Sequence, residues 1–256
     1  LHLGGSLRPP LGFKARREMV RLDRELAAFL AHAAAHPNRD DRGRPRPWTL
    51  VLNGDCIDFL HMGLVPPELG GADDEEAMYG LSFDESRSRW KLAWIVAYHR
   101  RSFEALCRFI EAGHRVMFIA GNHDADLCFP AVQVDLRGHI ARFATGDRRA
   151  VMAQISFSDW FHHEPERAWF EHGHRFDPYN TFPDPLDPIP AEAAVRRLNP
   201  TFSHWGLRYF ANRVQNFPLH DLEHMTFREV LHWVWYKAGM GVMRLVLVWA
   251  AFLTRY

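Results

Sequence analysis

The tetrapeptide Gly121-Asn122-His123-Asp124 places an amide oxygen, an imidazole and a carboxylate on three consecutive residues. It follows an apolar run over residues 116–120, which predicts a buried strand. Open α/β sheets bind ligands outside the carboxyl ends of their strands, so these side chains are candidates for a functional site. A plain turn would use Gly and Asn, but it would not need the His and Asp that follow.

A second polar cluster follows a second apolar run. Residues 48–53 are followed by Gly54-Asp55-Cys56-Ile57-Asp58. A carboxylate directly after a strand can bridge two cations, and Asp58, three residues later, can orient a ligand or close the turn. Asp and Gly are also common in ordinary turns, so this spacing alone favours a turn and a ligand pair equally.

Histidines follow two further predicted strands. His2 stands just ahead of two glycines, which would let a backbone or a phosphate approach closely. His172 and His174 are separated by one Gly and follow a predicted strand over residues 167–171. Three arrangements fit this spacing: both imidazoles face one site, only one of them does, or the two form a pair on the surface.

The clusters together predict a metal site with nitrogen and oxygen ligands. The predicted ligands, each at the end of a predicted strand, are His2, Asp55, Asn122 and His172. This donor set, which lacks a thiolate, suits Mn, Fe or Zn better than Ca or Mg. A bridging carboxylate between two ions about 3.5–4 Å apart is the geometry of two-metal phosphoryl transfer. His123 would donate a proton or stabilise phosphoryl charge, and Asp124 would fix its tautomer.

The elements that must position these residues alternate along the chain. Helices are predicted over residues 13–35 and 86–111, and a half-buried strand over residues 153–161. Strands that alternate with helices indicate an α/β fold with a parallel sheet.

Composition narrows the class of protein. The 256 residues are 47% hydrophobic, enough to bury one sizeable core, with an insertion. Lys+Arg and Asp+Glu both number 31, which gives no support to a broad nucleic-acid-binding surface. The three cysteines form no disulfide framework, which favours a reducing compartment and a cytoplasmic location. Sixteen histidines weakly favour a metalloprotein.

In chain order, the early His, Gly-Asp-x-x-Asp, Gly-Asn-His-Asp and His-Gly-His resemble the motifs of the calcineurin-like metallophosphoesterases. Each motif alone is moderately specific, but the combination is highly specific. Residues 171–177 look most like the UDP-2,3-diacylglucosamine pyrophosphatase branch, which acts in lipid A synthesis. The resemblance covers residues 1–180 and implies a four-layer α/β/β/α sandwich. It also implies a helical, cap-like insertion over residues 181–256.

The resemblance implies a role for each matching residue. His2 matches a ligand of one metal, Asp55 the bridging aspartate, and Asn122 and His172 ligands of the second metal. His123 matches the catalytic imidazole beside the scissile phosphate. The positions with supporting roles are Asp58, Asp124 and, as a neighbour without an assigned role, His174. The implied cofactors are two divalent ions, Mn foremost, with Fe or Zn as alternatives. The implied reaction is hydrolysis of a phosphodiester or pyrophosphate bond, with a UDP-linked lipid A precursor as one substrate.

The sequence departs from the family pattern in three places. The first-motif aspartate would lie two residues before His2, and the late Gly-His-x-His is absent, so we expect the chain to continue at both ends. The pyrophosphatase branch carries Arg where His123 stands, which keeps a generic phosphodiesterase or a nuclease open. A non-catalytic scaffold with a degenerate metal site is the alternative from another class.

The end of the chain is aromatic and apolar. Residues 202–256 suit a cap that meets a lipid or a membrane surface, which would place the protein at the periphery of the inner membrane. Within it, residues 239–253 are consistent with a core helix, an interfacial helix with nearby Trp residues, or a truncated spanning segment.

Overall fold

The computed structural model describes residues 1–5, 13–62, 73–190 and 195–210, with single positions 226, 228, 229, 232 and 250. The chain is mixed α/β, as predicted. Its helices are α1 (Phe13–Ala35), α2 (Asp74–Tyr79), α3 (Glu85–Tyr98), α4 (Arg100–Glu111), α5 (Pro130–Ala141), α6 (Arg148–Ala153) and α7 (Phe202–Trp205). Its strands are β1 (Asn38–Arg39), β2 (Pro45–Arg46), β3 (Thr49–Asn53), β4 (Arg115–Ile119), β5 (Ile155–Ser158), β6 (Phe161–Glu164) and β7 (Ala168–Glu171).

A parallel sheet forms the centre of the described fold. Its strand order is β3-β4-β5, with Leu52 opposite Phe118 and Phe118 opposite Phe157. Val116 and Ile119 are buried in β4, the middle strand, which explains its nearly continuous apolar run. The strands predicted before the two polar clusters are therefore confirmed, and they are neighbours in one sheet.

The strand that precedes His172 lies in a different sheet. β7 pairs with β6 in an antiparallel hairpin, with Phe161 opposite Glu171. The hairpin is tied to the central sheet because the Asn53 side-chain amide donates to the carbonyl of Glu171 (3.0 Å). Residue 172 thus follows a strand, as predicted, but reaches the site from a hairpin beside the parallel sheet.

The single helix predicted over residues 86–111 is wrong. α3 ends and α4 begins around His99, whose backbone (φ −98°, ψ 31°) leaves the helical path. The predicted first helix is confirmed as α1, and it packs against α4. Phe103 and Leu106 of α4 are buried in the core that these helices share with the sheet.

Residues 195–210 return to the core beside α2 and α3. Leu198 N–H donates to the carbonyl of Phe83 (3.0 Å), and the Arg208 guanidinium donates to the carbonyl of Gly80 (3.1 Å). Most of the proposed membrane-facing region over residues 202–256, including nearly all of 239–253, lies outside the described residues. In the described part of the chain, no helix has the length and apolar character needed to cross a bilayer.

His204 of α7 is buried as a neutral imidazole. Its ring lies edge-on to Phe83 and Phe182, with centroids 5.3 and 5.4 Å away, and its Nδ1 lies 2.7 Å from the Thr201 hydroxyl. Burial, followed by the charge of His123, lowers the pKa of His204 to about 3. The unfolded chain would protonate this group near its ordinary pKa of about 6.5.

We therefore expect His204 to make folding pH-dependent. Above pH about 6.5 the group is neutral in both states, so its contribution is constant. As the pH falls from there toward 3, only the unfolded chain binds the proton, so stability drops by about 1.4 kcal/mol per pH unit. His204→Asn keeps a polar group near Thr201 but cannot titrate. Urea unfolding of both proteins from pH 7 to 4 should show a shallower decline in the variant; parallel curves would contradict the assignment.

Candidate functional site

Parallel pairing of β3 and β4 brings two of the predicted clusters together. Asn53 is opposite Ile119, so both strands end at the same edge of the sheet. Asp55 and His123 follow these ends, and the His123 N–H donates to Asp55 Oδ1 at 2.9 Å. The register of the sheet thus places the carboxylate of one turn beside the imidazole of the other.

Asp124 cross-links these two turns. Its carboxylate is fully buried and accepts hydrogen bonds from the backbone N–H groups of Gly121 (2.6 Å), Asp55 (3.1 Å), Cys56 (2.8 Å) and Ile57 (3.3 Å). Burial, with the nearby Asp55 charge, raises the pKa of Asp124 to about 6. The expectation that Asp124 fixes the His123 tautomer is wrong, because its oxygens are committed to the backbone and His123 Nδ1 meets Asp58 instead.

Asp58 is the centre of a group of imidazoles. Its fully buried carboxylate meets His2 Nδ1 at 3.0 Å, His61 Nδ1 at 2.7 Å and His123 Nδ1 at 3.2 Å. We call these four residues the Asp58 cluster. One ligand atom from each lies within 4.8 Å of the others, so the cluster could hold a metal ion.

Asp55 Oδ2 is the meeting point of a second group of nitrogens. His172 Nε2 lies 3.2 Å from it, His123 Nε2 3.9 Å and His2 Nε2 4.0 Å. His2 and His123 belong to both groups, since each presents Nδ1 to Asp58 and Nε2 to Asp55. The structure therefore brings together four of the residues predicted from sequence, on four separate segments.

The hydrogen bonds of these rings fix which nitrogen carries the proton. In the neutral rings, the nitrogen that faces Asp55 is left without one. His172 Nδ1 lies 3.0 Å from the carbonyl of Asn53, which can only accept, so Nδ1 carries the proton. His123 and His2 likewise donate from Nδ1 to the Asp58 carboxylate. Each neutral ring then points the lone pair of Nε2 at an anionic oxygen. A proton on Nε2 or a cation between the atoms is needed to make this arrangement favourable.

Without a cation, protons fill this role. Burial alone would lower the pKa of His123, but the charges of Asp58 and Asp55 raise it to about 9. His172 shows the same balance: burial lowers its pKa, and its hydrogen bond with Asp55 raises it above the ordinary value. Burial raises the pKa of Asp55, but the histidines around it bring it down to about 2.

Asn122 and His174 lie at the margin of this arrangement. Asn122 is buried, and its side-chain nitrogen donates to Asn180 Oδ1 (3.2 Å). The His174 ring centroid lies 5.5 Å from that of His172, and its buried Nδ1 has no hydrogen-bond partner. Burial, with the charge of His172, lowers the pKa of His174 to about 4, so this imidazole is neutral near pH 7. Metal ligation by Asn122 stays a prediction.

Sequence reasoning missed His61. This residue is buried, and its N–H donates to Asp58 Oδ1 (2.9 Å) while its ring meets the other carboxylate oxygen. The spacing Asp-x-x-His was a usable signal, because an Asp side chain commonly accepts from a backbone N–H close after it in a turn.

Comparison of the chain with protein-family models, curated proteins and solved structures finds no match.

The close packing of the two turns leaves no room for a side chain at Gly121. A Cβ there would overlap Asp55 Oδ1, and it would lie 2.7 Å from the Asp55 backbone nitrogen and 2.9 Å from His172 Cδ2. The contact with the Asp55 backbone nitrogen cannot be relieved by moving the end of a side chain. Substitution must therefore push apart the turns that carry the site.

We expect Gly121→Ala to destabilise the fold by about 1–3 kcal/mol, as overpacking does. Gly138→Ala is the matched control, because Gly138 lies within α5 and a Cβ there has open space. It should stabilise by about 0.5–1 kcal/mol through helix propensity. Thermal and urea unfolding measure both changes. A Gly121→Ala protein as stable as the unaltered chain would contradict this packing.

Proposed function

We propose that this chain is a phosphoesterase that uses two divalent cations to hydrolyse a phosphodiester or pyrophosphate bond. The observation that carries the proposal is the convergence of the Nε2 atoms of His2, His123 and His172 on Asp55 Oδ2. A cation placed there would receive the Nε2 lone pairs of His2 and His172, whose Nδ1 atoms are already hydrogen-bonded, and would leave His123 Nε2 for the substrate. Imidazoles held in this way by a carboxylate or carbonyl are the usual form of protein metal ligands.

The residues fit such ions. Asp55 would supply a carboxylate to such ions, and Asn122 would add an amide oxygen from the adjacent turn. Burial, and then the charge of Asp124, raises the pKa of the neighbouring Cys56 to about 12, so this residue stays a thiol and is a poor ligand. The nitrogen and oxygen donor set favours Mn, with Fe or Zn as alternatives. When bound, two such cations supply an acidified water and neutralise charge on the phosphoryl oxygens.

His123 is the proton donor in this proposal. Asp58 holds its Nδ1 at 3.2 Å, which orients the ring and leaves Nε2 toward the open side of Asp55. Burial lowers the pKa of His123, but the charges of Asp58 and Asp55 raise it, which favours a proton on Nε2 that can pass to the departing oxygen of the substrate. Asp58 then stabilises the ring in each protonation state.

The four-layer α/β/β/α sandwich and the lipid substrate belong to the same proposal. The parallel sheet and its helices are compatible with such a sandwich. Exposed rings stand close to His172 in the sequence: Trp169 is 53% exposed, Phe176 78% and Tyr179 63%. Exposed apolar patches mark surfaces that bind ligands, partners or membranes. They favour a nucleotide-linked lipid, handled at the inner membrane, as the substrate.

Metal uptake should depend on His172 more than on His61. His172 belongs only to the group around Asp55, whereas His61 belongs only to the Asp58 cluster. We expect His172→Ala to lose Mn²⁺ in equilibrium dialysis, while His61→Ala shifts the affinity by no more than about tenfold. Loss of metal from His61→Ala alone would instead place an ion inside the Asp58 cluster.

Measurements of bound metal and of turnover should distinguish the roles of Asp55 and His123. Asp55→Asn should lose both bound Mn²⁺ and turnover. His123→Ala should keep the metal and lose turnover by about 10²- to 10⁴-fold, the usual effect of removing a general acid. Rates are measured on bis-p-nitrophenyl phosphate and then on UDP-linked lipids. His36→Ala, which removes an exposed imidazole at the end of α1, is the control.

Two results would count against this assignment. Full turnover by His123→Ala would show that the proton comes from another group. Metal binding by the unaltered chain without hydrolysis of any phosphoester would favour a scaffold that has kept the ligands but lost the reaction.

A further inference from the structure

The loop that carries His2 is held beside the residues that follow β3. The His2 N–H donates to the carbonyl of Asp55 (3.0 Å), and the Leu3 N–H donates to the carbonyl of Cys56 (2.9 Å). The Asp58 N–H donates back to the carbonyl of Leu3 (2.7 Å). The loop therefore runs like a short extra strand along the segment that bears both carboxylates.

A buried histidine fixes the next residue of this loop. The Gly4 N–H donates to His99 Nε2 (3.1 Å), and His99 Nδ1 lies 2.8 Å from Asp23 Oδ1 of α1. A backbone N–H can only donate, so Nε2 accepts and Nδ1 carries the proton that goes to Asp23. Ser102 donates to the same carboxylate oxygen at 2.6 Å. Asp23 thus orients the His99 ring at Nδ1, and the Gly4 N–H binds to Nε2.

Gly4 has little freedom to move away from this contact. Its φ of +105° is a conformation that L side chains rarely adopt. A Cβ at this position would lie 2.9 Å from Ile95 Cγ1 and 3.0 Å from the carbonyl oxygen of Asp58. The backbone is wedged between α3 and the turn that bears Asp58, and its buried N–H needs the acceptor that His99 provides.

We propose that His99 is a positioning residue for His2. By accepting the Gly4 N–H, His99 holds the loop in the place where the His2 ring spans Asp58 and Asp55. Asp23 acts one step further back, because it keeps the proton on His99 Nδ1 and the lone pair on Nε2. The inference rests on the proposed function in one respect, which is that His2 binds a cation.

Two substitutions separate the two hydrogen bonds of His99. In His99→Asn, the side-chain amide can donate to Asp23 from the place of Nδ1, but it cannot reach Gly4. In His99→Gln, the side-chain oxygen can accept from Gly4 near the place of Nε2. We expect the Asn variant to bind Co²⁺ about 10- to 100-fold more weakly with a changed visible absorption spectrum. The Gln variant should keep both properties close to those of the unaltered chain.

A second measurement needs no metal. Diethyl pyrocarbonate acylates accessible imidazoles, and peptide mass spectrometry locates the modified rings. In the metal-free proteins, His2 should be labelled several-fold faster in His99→Asn than in His99→Gln or the unaltered chain. This result would support positioning by His99 even if the unaltered chain hydrolysed no phosphoester, so the two proposals can fail separately.

Two outcomes would overturn the positioning role. The first is Co²⁺ affinity and His2 labelling that stay unchanged in both variants. The second is an equal loss of both properties in the Asn and Gln variants that follows a loss of unfolding free energy. In that case His99 would support the fold in general, without a specific effect through the Gly4 N–H.

Discussion

The buried carboxylate of Asp124 is the interaction on which the rest of the site depends. Parallel strands bring their ends to one edge of a sheet, but the turns that follow them are free to diverge. Asp124 prevents this by accepting four backbone N–H groups, one from its own turn and three from the turn after β3. A hydrogen bond to a charged group contributes about 1.5–3 kcal/mol, so the two turns behave as one rigid piece. Asp55 and His123 occupy fixed positions because their backbones do.

A layered arrangement of charge follows from that rigidity. Asp58 lies at the bottom, fully buried, and orients the imidazoles of His2, His61 and His123. Asp55 lies above it, nearer to solvent, and receives the opposite nitrogens of His2 and His123 together with His172. The imidazole rings thus lie between the fully buried carboxylate of Asp58 and the more exposed carboxylate of Asp55. These nitrogens form ion pairs with Asp55 when they are protonated, and without the proton they present lone pairs to a cation at the same place.

Local patterns in the sequence were enough to predict α1, β3, β4 and β7. Apolar periodicity and the polar residues after each strand are short-range signals, and they also identified His2, Asp55, His123 and His172 as candidates. The partners of these residues could not be predicted in the same way. Gly4 and His99 are 95 residues apart in the chain, and His172 and Asn53 are 119 apart. Asp124 was given the wrong role because its partners depend on how separate turns meet, whereas the contact of His61 with Asp58 spans only three residues and is a local signal.

The interruption between α3 and α4 affects both the stability of the helices and the position of the loop that carries His2. Residues 86–111 have the composition of one long helix, and continuity there would add intrahelical hydrogen bonds. His99 instead turns out of the helical path, and its ring meets Asp23 and the Gly4 backbone. The helix is thus interrupted at the same residue whose ring accepts the N–H of Gly4. Substitutions that raise helix propensity commonly stabilise a protein. At His99 such a substitution would remove the acceptor of the Gly4 N–H. At His99, the stability of the helix and the position of the loop that carries His2 are therefore opposed.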